Sequence, residues 1–272
     1  MKNLIVIIGT CVVLFIGCVL VLALSELGEV QSEVSVIKML PPDWNPYQRL
    51  YDELLKPTVR INTKDGIGSG VVISTTDSTD YILTAAHVVE NYSSVSVTFY
   101  SYNQPDKSGN YSSCLIYKAD VVMTDTNKDL ALIRINPPVS PFTKGGLRGI
   151  YSAKLAPRNY TPFIFTPVWT VGCSLGLPPR PSSGHICAIR GFYWEVSSPI
   201  LPGNSGGPVY AKRSGVPTNV GNAYEYEVIG IAVWVYTYQG QLITTMVGVV
   251  PISEIYEFLN GVQEFNSSRV QK

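Results

Sequence analysis

The chain is 272 residues long, and its 20 Lys and Arg balance 20 Asp and Glu, so it carries no net charge with histidine neutral. No basic tract interleaved with aromatics occurs, which excludes nucleic acid as an obvious partner. Beyond an apolar start roughly 200 residues remain, enough for one sizeable core, and their many Val, Ile, Thr and Tyr residues, punctuated by Gly and Pro, favour β-structure.

Residues 4–24 are uncharged and rich in Val, Ile and Leu. At about 1.5 Å rise per residue a helix of this length crosses a bilayer core of about 30 Å. Lys2 precedes it, and Glu26 and Glu29 follow, a bias that keeps the amino terminus in the cytoplasm and places the rest outside. The first reading is an N-terminal transmembrane helix, a membrane anchor over 1–27. A cleaved signal is the second, because Ala23-Leu24-Ser25 offers small residues for cleavage, and Phe15-Ile16-Gly17-Cys18 loosely fits a lipoprotein signal. Under all three the domain acts outside the cytoplasm, anchored to the membrane or secreted. A connector follows over 28–56, extended around Pro41-Pro42-Asp43-Trp44-Asn45-Pro46. Residues 47–55 form a short helix, with Leu50, Leu54 and Leu55 packing on the domain.

The folded domain is expected over 57–265, with a tail over 266–272. Strands are expected at 58–63, 70–74, 81–84, 95–100, 114–123, 130–135, 168–173, 185–191, 208–211, 226–236 and 242–250. Gly66 to Ile73 reads as a glycine-rich bend entering a strand. Ile252, Ile255, Leu259 and Val262 have helical spacing, which predicts a closing helix over 252–265.

Three segments carry chemistry. Thr84-Ala85-Ala86-His87-Val88 places a histidine just after a buried strand, where small alanines permit a tight helical turn. Asp129 opens the apolar strand Leu130-Ala131-Leu132-Ile133-Arg134-Ile135. A carboxylate there is costly unless hydrogen-bonded, and His87 Nδ1–H would be such a partner. The competing Asp125, in Thr124-Asp125-Thr126-Asn127-Lys128, reads as a solvated turn aspartate. Gly203-Asn204-Ser205-Gly206-Gly207-Pro208 is a tight turn in which Gly203 permits a conformation that a Cβ obstructs. The N–H groups of Gly203 and Ser205 can then converge on a developing oxyanion. A serine hydroxyl is a weak nucleophile unless a base takes its proton and a third group orients the base. These segments supply Ser205, His87 and Asp129 for those parts.

The turn also reads as G-x-S-x-G, the strand-to-helix elbow of another hydrolase class, whose histidine follows its serine. Both histidines here, His87 and His185, precede Ser205, which removes that reading. His185, on an expected strand without a nearby acid, is read as structural or as a cleft-wall residue. No cysteine–histidine cluster has metal-ligand spacing, and the chemistry requires no cofactor.

These motifs resemble those of the trypsin-like (chymotrypsin-fold) serine proteases, and are most similar to the Deg-type, high-temperature-requirement branch. TAAHVV at His87, DTNKDLALIRI around Asp129 and PGNSGGPV around Ser205 match in order and approximate spacing. Gly172-Cys173-Ser174-Leu175-Gly176 and Ser183-Gly184-His185-Ile186 resemble that branch's glycine-rich hairpin. The similarity covers roughly residues 56–258. It implies an all-β fold of two antiparallel β-barrels, the first over about 57–140 and the second over about 160–250, with the cleft between them. It also implies a serine endopeptidase acting on protein or peptide substrates through an acyl-enzyme on Ser205. His87 would be base and acid, Asp129 the orienting acid, and Gly203 and Ser205 the oxyanion-hole donors.

Departures from the family pattern matter. Asn204 stands where digestive trypsins have an aspartate that pairs with a new amino terminus, so activation by such a cleavage is not expected. Too few residues follow Pro251 for a PDZ domain. The position matching the pocket aspartate of trypsin falls near Pro199, with Trp234 and Val235 on the neighbouring strand of the substrate pocket. With no acid there and a valine at 235, a small or medium aliphatic P1 residue is expected rather than a basic one. Homotrimers are common among Deg-type relatives. A catalytically silent protein-binding module on the same fold is the alternative from another functional class. Cys173 and Cys187 flank a hairpin-like stretch in a compartment that permits oxidation; a disulfide between them and a pair of reduced thiols both remain open.

Overall fold

A computed structural model describes residues 47–75, 79–101, 113–135, 152–213, 225–262 and 265. The compact unit spans Arg49–Lys272. The segment 4–24, to which the anchor, signal and lipoprotein readings attach, lies outside the described residues, as do most of the connector and the tail. Among the described residues no helix is long and apolar enough to cross a membrane.

Among the described residues, twelve strands form two closed antiparallel barrels. The first contains β1 (Thr58–Asn62), β2 (Ile67–Thr75), β3 (Asp80–Thr84), β4 (Ser94–Ser101), β5 (Ser113–Asp125) and β6 (Leu130–Ile135). Its strand order is β1-β2-β3-β6-β5-β4, closed because β1 pairs with both β2 and β4. The second contains β7 (Pro167–Gly172), β8 (Arg180–Arg190), β9 (Tyr193–Val196), β10 (Pro208–Lys212), β11 (Tyr226–Tyr238) and β12 (Gln241–Pro251). Its order is β10-β11-β12-β9-β8-β7, closed by β10 against β7. Closure leaves no free sheet edge in either barrel.

The strands form where the sequence alternates or is continuously apolar. Every residue of β3 is buried, and β6 is buried except at Arg134. In the first barrel Val59, Ile61, Val72, Ile82, Val97 and Ile133 fill the interior. Burying each such side chain stabilises the fold by about 1.5–3 kcal/mol relative to exposure. The β11–β12 hairpin turns through Gln239 and Gly240, both with positive φ (50° and 77°). Such two-residue turns match the right-handed twist of paired strands.

Strand β9 was not expected from the sequence. It is four residues long and carries Glu195, a carboxylate that is nearly buried. Its burial is satisfied by Arg190 Nε (3.0 Å) and the Tyr236 hydroxyl (2.8 Å).

Segments outside the strands pack against the barrels. The helical turn Tyr51–Leu55 buries Leu54, with Leu50 and Leu55 packed beside it, as the sequence predicts. Its Glu53 carboxylate accepts the N–H groups of Glu225 and Tyr226, both at 2.8 Å. Burial raises the Glu53 pKa, and these two bonds oppose that shift. In the inter-barrel crossing, Ala153 N–H donates to Val72 O of β2 (2.8 Å), and Ala156 N–H to Val228 O of β11 (2.9 Å). Helix α1 (Ala86–Val89) leaves the end of β3, and α2 (Ile252–Asn260) leaves β12. Ile252, Ile255, Phe258 and Leu259 bury one face of α2, and Val262 and Phe265 beyond it are also buried.

The register of β7 and β8 bears on the two cysteine states that the sequence leaves open. Cys173 and Cys187 are free thiols. Gly172 pairs with Arg180, whereas Pro167 pairs with His185. Cys173 therefore sits at the closed end of the hairpin and Cys187 beyond its open end, roughly 20 Å apart at about 3.3 Å per strand residue. A disulfide bridges Cα atoms only about 4.4–6.8 Å apart. The sequence spacing resembled a hairpin, but the turn is not centred between the two cysteines. Cys173 is buried and its thiol is pushed up to about 12, mainly by desolvation, while Cys187 is exposed. Alkylation of the native chain followed by peptide mapping is expected to label Cys187 and spare Cys173 until the protein is unfolded. Reductant is expected to leave the mass of the peptides carrying these two residues unchanged.

Candidate active site

Residues from both barrels meet at this site. His87 lies in α1, one short turn beyond β3, and Asp129 ends the β5–β6 turn. Asp125 starts that turn by accepting the N–H groups of Asn127 and Lys128, both at 3.0 Å. This is an Asx-type turn, so Asp125 shapes the loop and Asp129 is the carboxylate that reaches the histidine. Asp129 Oδ2 lies 2.8 Å from His87 Nδ1, and Oδ1 accepts the His87 backbone N–H at 2.9 Å. Both carboxylate oxygens thus fix one residue. Asp129 adopts φ 53°, an uncommon conformation for a residue with a side chain and one that collects at functional sites.

The Nδ1–Asp129 bond assigns the proton of neutral imidazole to Nδ1 and leaves Nε2 as the basic nitrogen. Among the described residues, Nε2 has no hydrogen-bond partner. The Asp129 hydrogen bond raises the His87 pKa above its ordinary 6.5; partial burial opposes the shift.

Lys128, the neighbour of Asp129, bonds Glu254 and Glu257 of α2, the latter at 2.8 Å. This ties the aspartate turn to the helix that closes the second barrel. Sequence reasoning passed over Lys128; its only signal was its place beside Asp129.

Ser205 lies in the loop that enters β10. Thr84 of β3 and the following Ala85 line Gly206: a Cβ there would fall 2.2 Å from Thr84 Oγ1 and 2.8 Å from the Ala85 nitrogen. Only glycine allows this approach, which brings the serine turn against the chain entering His87. The Ser205 carbonyl accepts the Ser69 N–H at 2.8 Å. Among the described residues, the Ser205 hydroxyl and His87 are not directly hydrogen-bonded; catalytic contacts of this kind are often long in unliganded proteins.

The backbone of the turn is almost fully committed. Pro202 O accepts Leu175 N–H (2.7 Å), and Asn204 N–H donates to Leu201 O (3.0 Å). Gly206 N–H donates to Ala232 O (2.8 Å) and Gly207 N–H to Asn204 O (2.9 Å). The N–H groups of Gly203 and Ser205 are the exceptions: among the described residues neither has an acceptor. The C=O and N–H of a trans peptide point to opposite sides. Because Pro202 O faces Leu175, the Gly203 N–H faces away from it. Gly203 has φ 99°, and a Cβ would strike Cys173 O at 2.5 Å, which explains the glycine. Asn204 is buried, and its Oδ1 accepts the Ser174 hydroxyl at 2.6 Å. This hydrogen bond serves where a charged partner is absent.

The substrate-pocket expectations separate. Trp234 is half-buried and lines a cleft with Asp129, Lys128, Phe192, Val250 and Glu254. Its indole lies across Gly248, where a Cβ would come within 1.9 Å of the ring, and meets the Tyr193 ring at 5.3 Å. Val235 is half-buried and Pro199 exposed, and neither lines that cleft. The Pro199 carbonyl is held by the Ser182 hydroxyl at 2.6 Å. His185 lies on β8, opposite Pro167 of β7, with its N–H bonded to Ser197 Oγ (3.0 Å). Among the described residues, no group of three or more His, Cys, Asp or Glu side chains is arranged to hold a metal.

Two six-stranded barrels with a histidine–aspartate pair and a glycine-flanked serine turn define a class, and residues 68–216 match the model of the trypsin-like peptidase domain. The chain belongs to that family. It is 28% identical over 199 residues to the putative serine protease HhoB of Synechocystis sp., an alignment covering 71% of this chain and 43% of that protein. It is also 28% identical over 183 residues to a probable periplasmic serine endoprotease DegP-like of Marinomonas sp., covering 65% and 31%. The chain thus spans less than half the length of these curated relatives. The crystal structure of the serine endoprotease from Yersinia pestis shares the fold, with a TM-score of 0.56 at 20% identity, over 82% of this chain and 67% of that one. These likenesses agree with the Deg-type resemblance of the sequence motifs.

The His87 ring is expected to titrate, by NMR of the imidazole carbons, above the ordinary value near 6.5, and Asp129→Asn is expected to lower that midpoint. Because the folded value exceeds the unfolded one, the stabilisation from protonated His87 is fully present below the unfolded pKa and disappears as pH rises through the folded pKa.

Proposed function

We propose that the protein is a serine endopeptidase that hydrolyses peptide bonds through an acyl-enzyme on Ser205. The observation that carries this reading is the pair of unpartnered N–H groups at Gly203 and Ser205, beside a histidine that Asp129 holds through two hydrogen bonds. In the first step Ser205 Oγ attacks the substrate carbonyl carbon and its proton passes to His87 Nε2. The carbonyl oxygen becomes an oxyanion between the two N–H donors, and each such donor is worth about 10²–10³ in rate. The imidazolium then gives its proton to the departing amine as the C–N bond breaks. Water attacks the resulting ester in the same way, with His87 again as base, and releases the acid and free Ser205. Asp129 stabilises the imidazolium throughout. Every group required is supplied by the chain itself.

The proposed site of action is outside the cytoplasm, with the apolar segment 4–24 as anchor or as cleaved signal. The absence of charge over residues 4–24 and the bias of Lys2 against Glu26 and Glu29 support this reading, as does the likeness to a probable periplasmic endoprotease of Marinomonas. Protein or peptide substrates fit a cleft walled by Trp234 and Phe192.

An alkyl fluorophosphonate is expected to label the full chain at one site, and Ser205→Ala to abolish labelling while leaving the fold intact by circular dichroism. A folded wild-type chain that resists the reagent would identify a silent binding module instead. The labelling rate is expected to rise with pH as His87 loses its proton, with a midpoint above 6.5.

No acid lies between Glu195 and Ser205, which supports a small or medium aliphatic P1 residue. Among peptides differing only at P1, Val or Ala is expected to be cleaved faster than Arg; fastest cleavage after Arg refutes the preference.

A further inference from the structure

The glycine-rich start of β2 contains a residue that the chemistry above leaves unused. We propose that Ser69 is a positioning residue of the serine turn. Its hydroxyl holds the Gly203 peptide so that the N–H groups of Gly203 and Ser205 stay aimed at one point. The inference rests on the hydrolase reading of Ser205 and adds to it a residue from the opposite barrel.

Ser69 is fully buried, and its polar groups are all engaged. The hydroxyl donates to Gly203 O at 2.6 Å and accepts the Cys173 N–H at 2.8 Å. The Ser69 N–H donates to Ser205 O at 2.8 Å, and Ser69 O accepts the Thr84 hydroxyl at 2.6 Å. One residue of the first barrel therefore touches the strand that leads to His87, the end of β7 and both ends of the Gly203–Ser205 segment.

The geometry of the turn makes the hydroxyl specific to orientation. Three successive peptides span Pro202 to Ser205. Leu175 N–H fixes the first through Pro202 O, and Gly207 N–H fixes the third through Asn204 O. The middle one, Gly203–Asn204, is held by Asn204 N–H on Leu201 O and by Ser69 Oγ–H on Gly203 O. Gly203, at φ 99°, lacks the Cβ that would restrict rotation. The orientation of its N–H therefore depends on hydrogen bonds rather than on sterics. Removing the hydroxyl takes a hydrogen-bond partner from the half-buried Gly203 carbonyl and from the buried Cys173 N–H, and an unsatisfied polar group in such a place is costly. The cheapest relief is rotation of the Gly203–Asn204 peptide toward other partners, and because this peptide joins the two that carry the Gly203 and Ser205 N–H groups, its rotation takes them out of line with each other.

The test compares the full chain with Ser69→Ala, Ser69→Cys and Val97→Ala; the last is a cavity variant in the first-barrel core, away from the turn. With a chromogenic peptide, Ser69→Ala is expected to lower kcat roughly tenfold to hundredfold, less than the about 10²–10³ lost on outright removal of a donor. KM is expected to stay within about twofold, because the oxyanion donors act on charge that develops in the transition state. Fluorophosphonate labelling should slow by the same factor as kcat. Ser69→Cys, which keeps a weak donor of similar shape, should fall between wild type and Ser69→Ala. If Ser69→Ala does not fold, the Ser69→Cys comparison decides the matter. Wild-type labelling by a folded Ser69→Ala, or by Ser69→Cys where Ser69→Ala is unfolded, overturns the inference. An equal loss of kcat in Val97→Ala also overturns it, since the effect would then follow stability alone. Absence of labelling in the wild-type chain would instead refute the hydrolase reading.

Discussion

The hydrogen bond from the Ser69 N–H to the Ser205 carbonyl joins the two barrels beside the site. Closed barrels satisfy their backbone groups internally and leave no strand edge for docking. Contact between them must therefore come from loops, side chains and the few peptide groups that the ladders leave over. The chain uses those groups economically of space: Gly68, Gly172, Gly206 and Gly207 all stand where a Cβ would meet neighbouring atoms at 3.0 Å or less. At Gly172, Gly206 and Gly207 backbone lies directly against backbone, and at Gly68 against the Val88 side chain, so the serine turn is held close to the first barrel.

Two carboxylates from opposite ends of one short loop divide the work of presenting the histidine. Asp125 spends its hydrogen bonds on the loop, and Asp129 spends its own on His87. Lys128 connects the same loop to α2 through Glu254 and Glu257. These ion pairs are partly exposed, so their contribution to global stability is small. Their structural effect is local: the residue beside the positive-φ Asp129 is tied to an element whose buried face is anchored by Ile252, Ile255, Phe258 and Leu259. Loop geometry and helix packing are thereby linked across the barrel boundary.

Buried polar side chains complete the frame around this arrangement. Glu53 receives two backbone N–H groups of the chain entering β11, and Glu195 receives Arg190 and Tyr236. Unpaired, either carboxylate would oppose folding; paired, each specifies one way for its strand to sit. Glu195 also lies on the strand whose Tyr193 ring supports Trp234, so the wall of the cleft depends on a satisfied charge behind it.

Much of this was legible in the primary chain because the relevant signals are local. Apolar alternation predicts most of the strands, a glycine with a neighbouring serine predicts a tight turn, and the order of histidine, aspartate and serine eliminates a competing hydrolase class. The choice of Asp129 over Asp125 also follows from local chemistry, since a carboxylate entering a buried strand needs a partner and one in a polar turn does not. Strand β9 escaped because four residues around a charged side chain give no periodicity to read. The choice between a Cys173–Cys187 bridge and two thiols stayed open in the sequence because strand register depends on where a turn is centred, and register is set by pairing across the sheet. Sequence by itself determined a β-rich domain and the residue types available for chemistry, through patterns spanning a few residues, while the two barrels were implied by the resemblance of its motifs to the trypsin-like family. Only the tertiary structure decided which groups meet: the cross-barrel hydrogen bonds of Ser69, the ion pairs of Lys128 and, among the described residues, the unpartnered N–H groups of Gly203 and Ser205. Those depend on the mutual placement of closed sheets, and distances between segments so far apart along the chain leave no trace in local order.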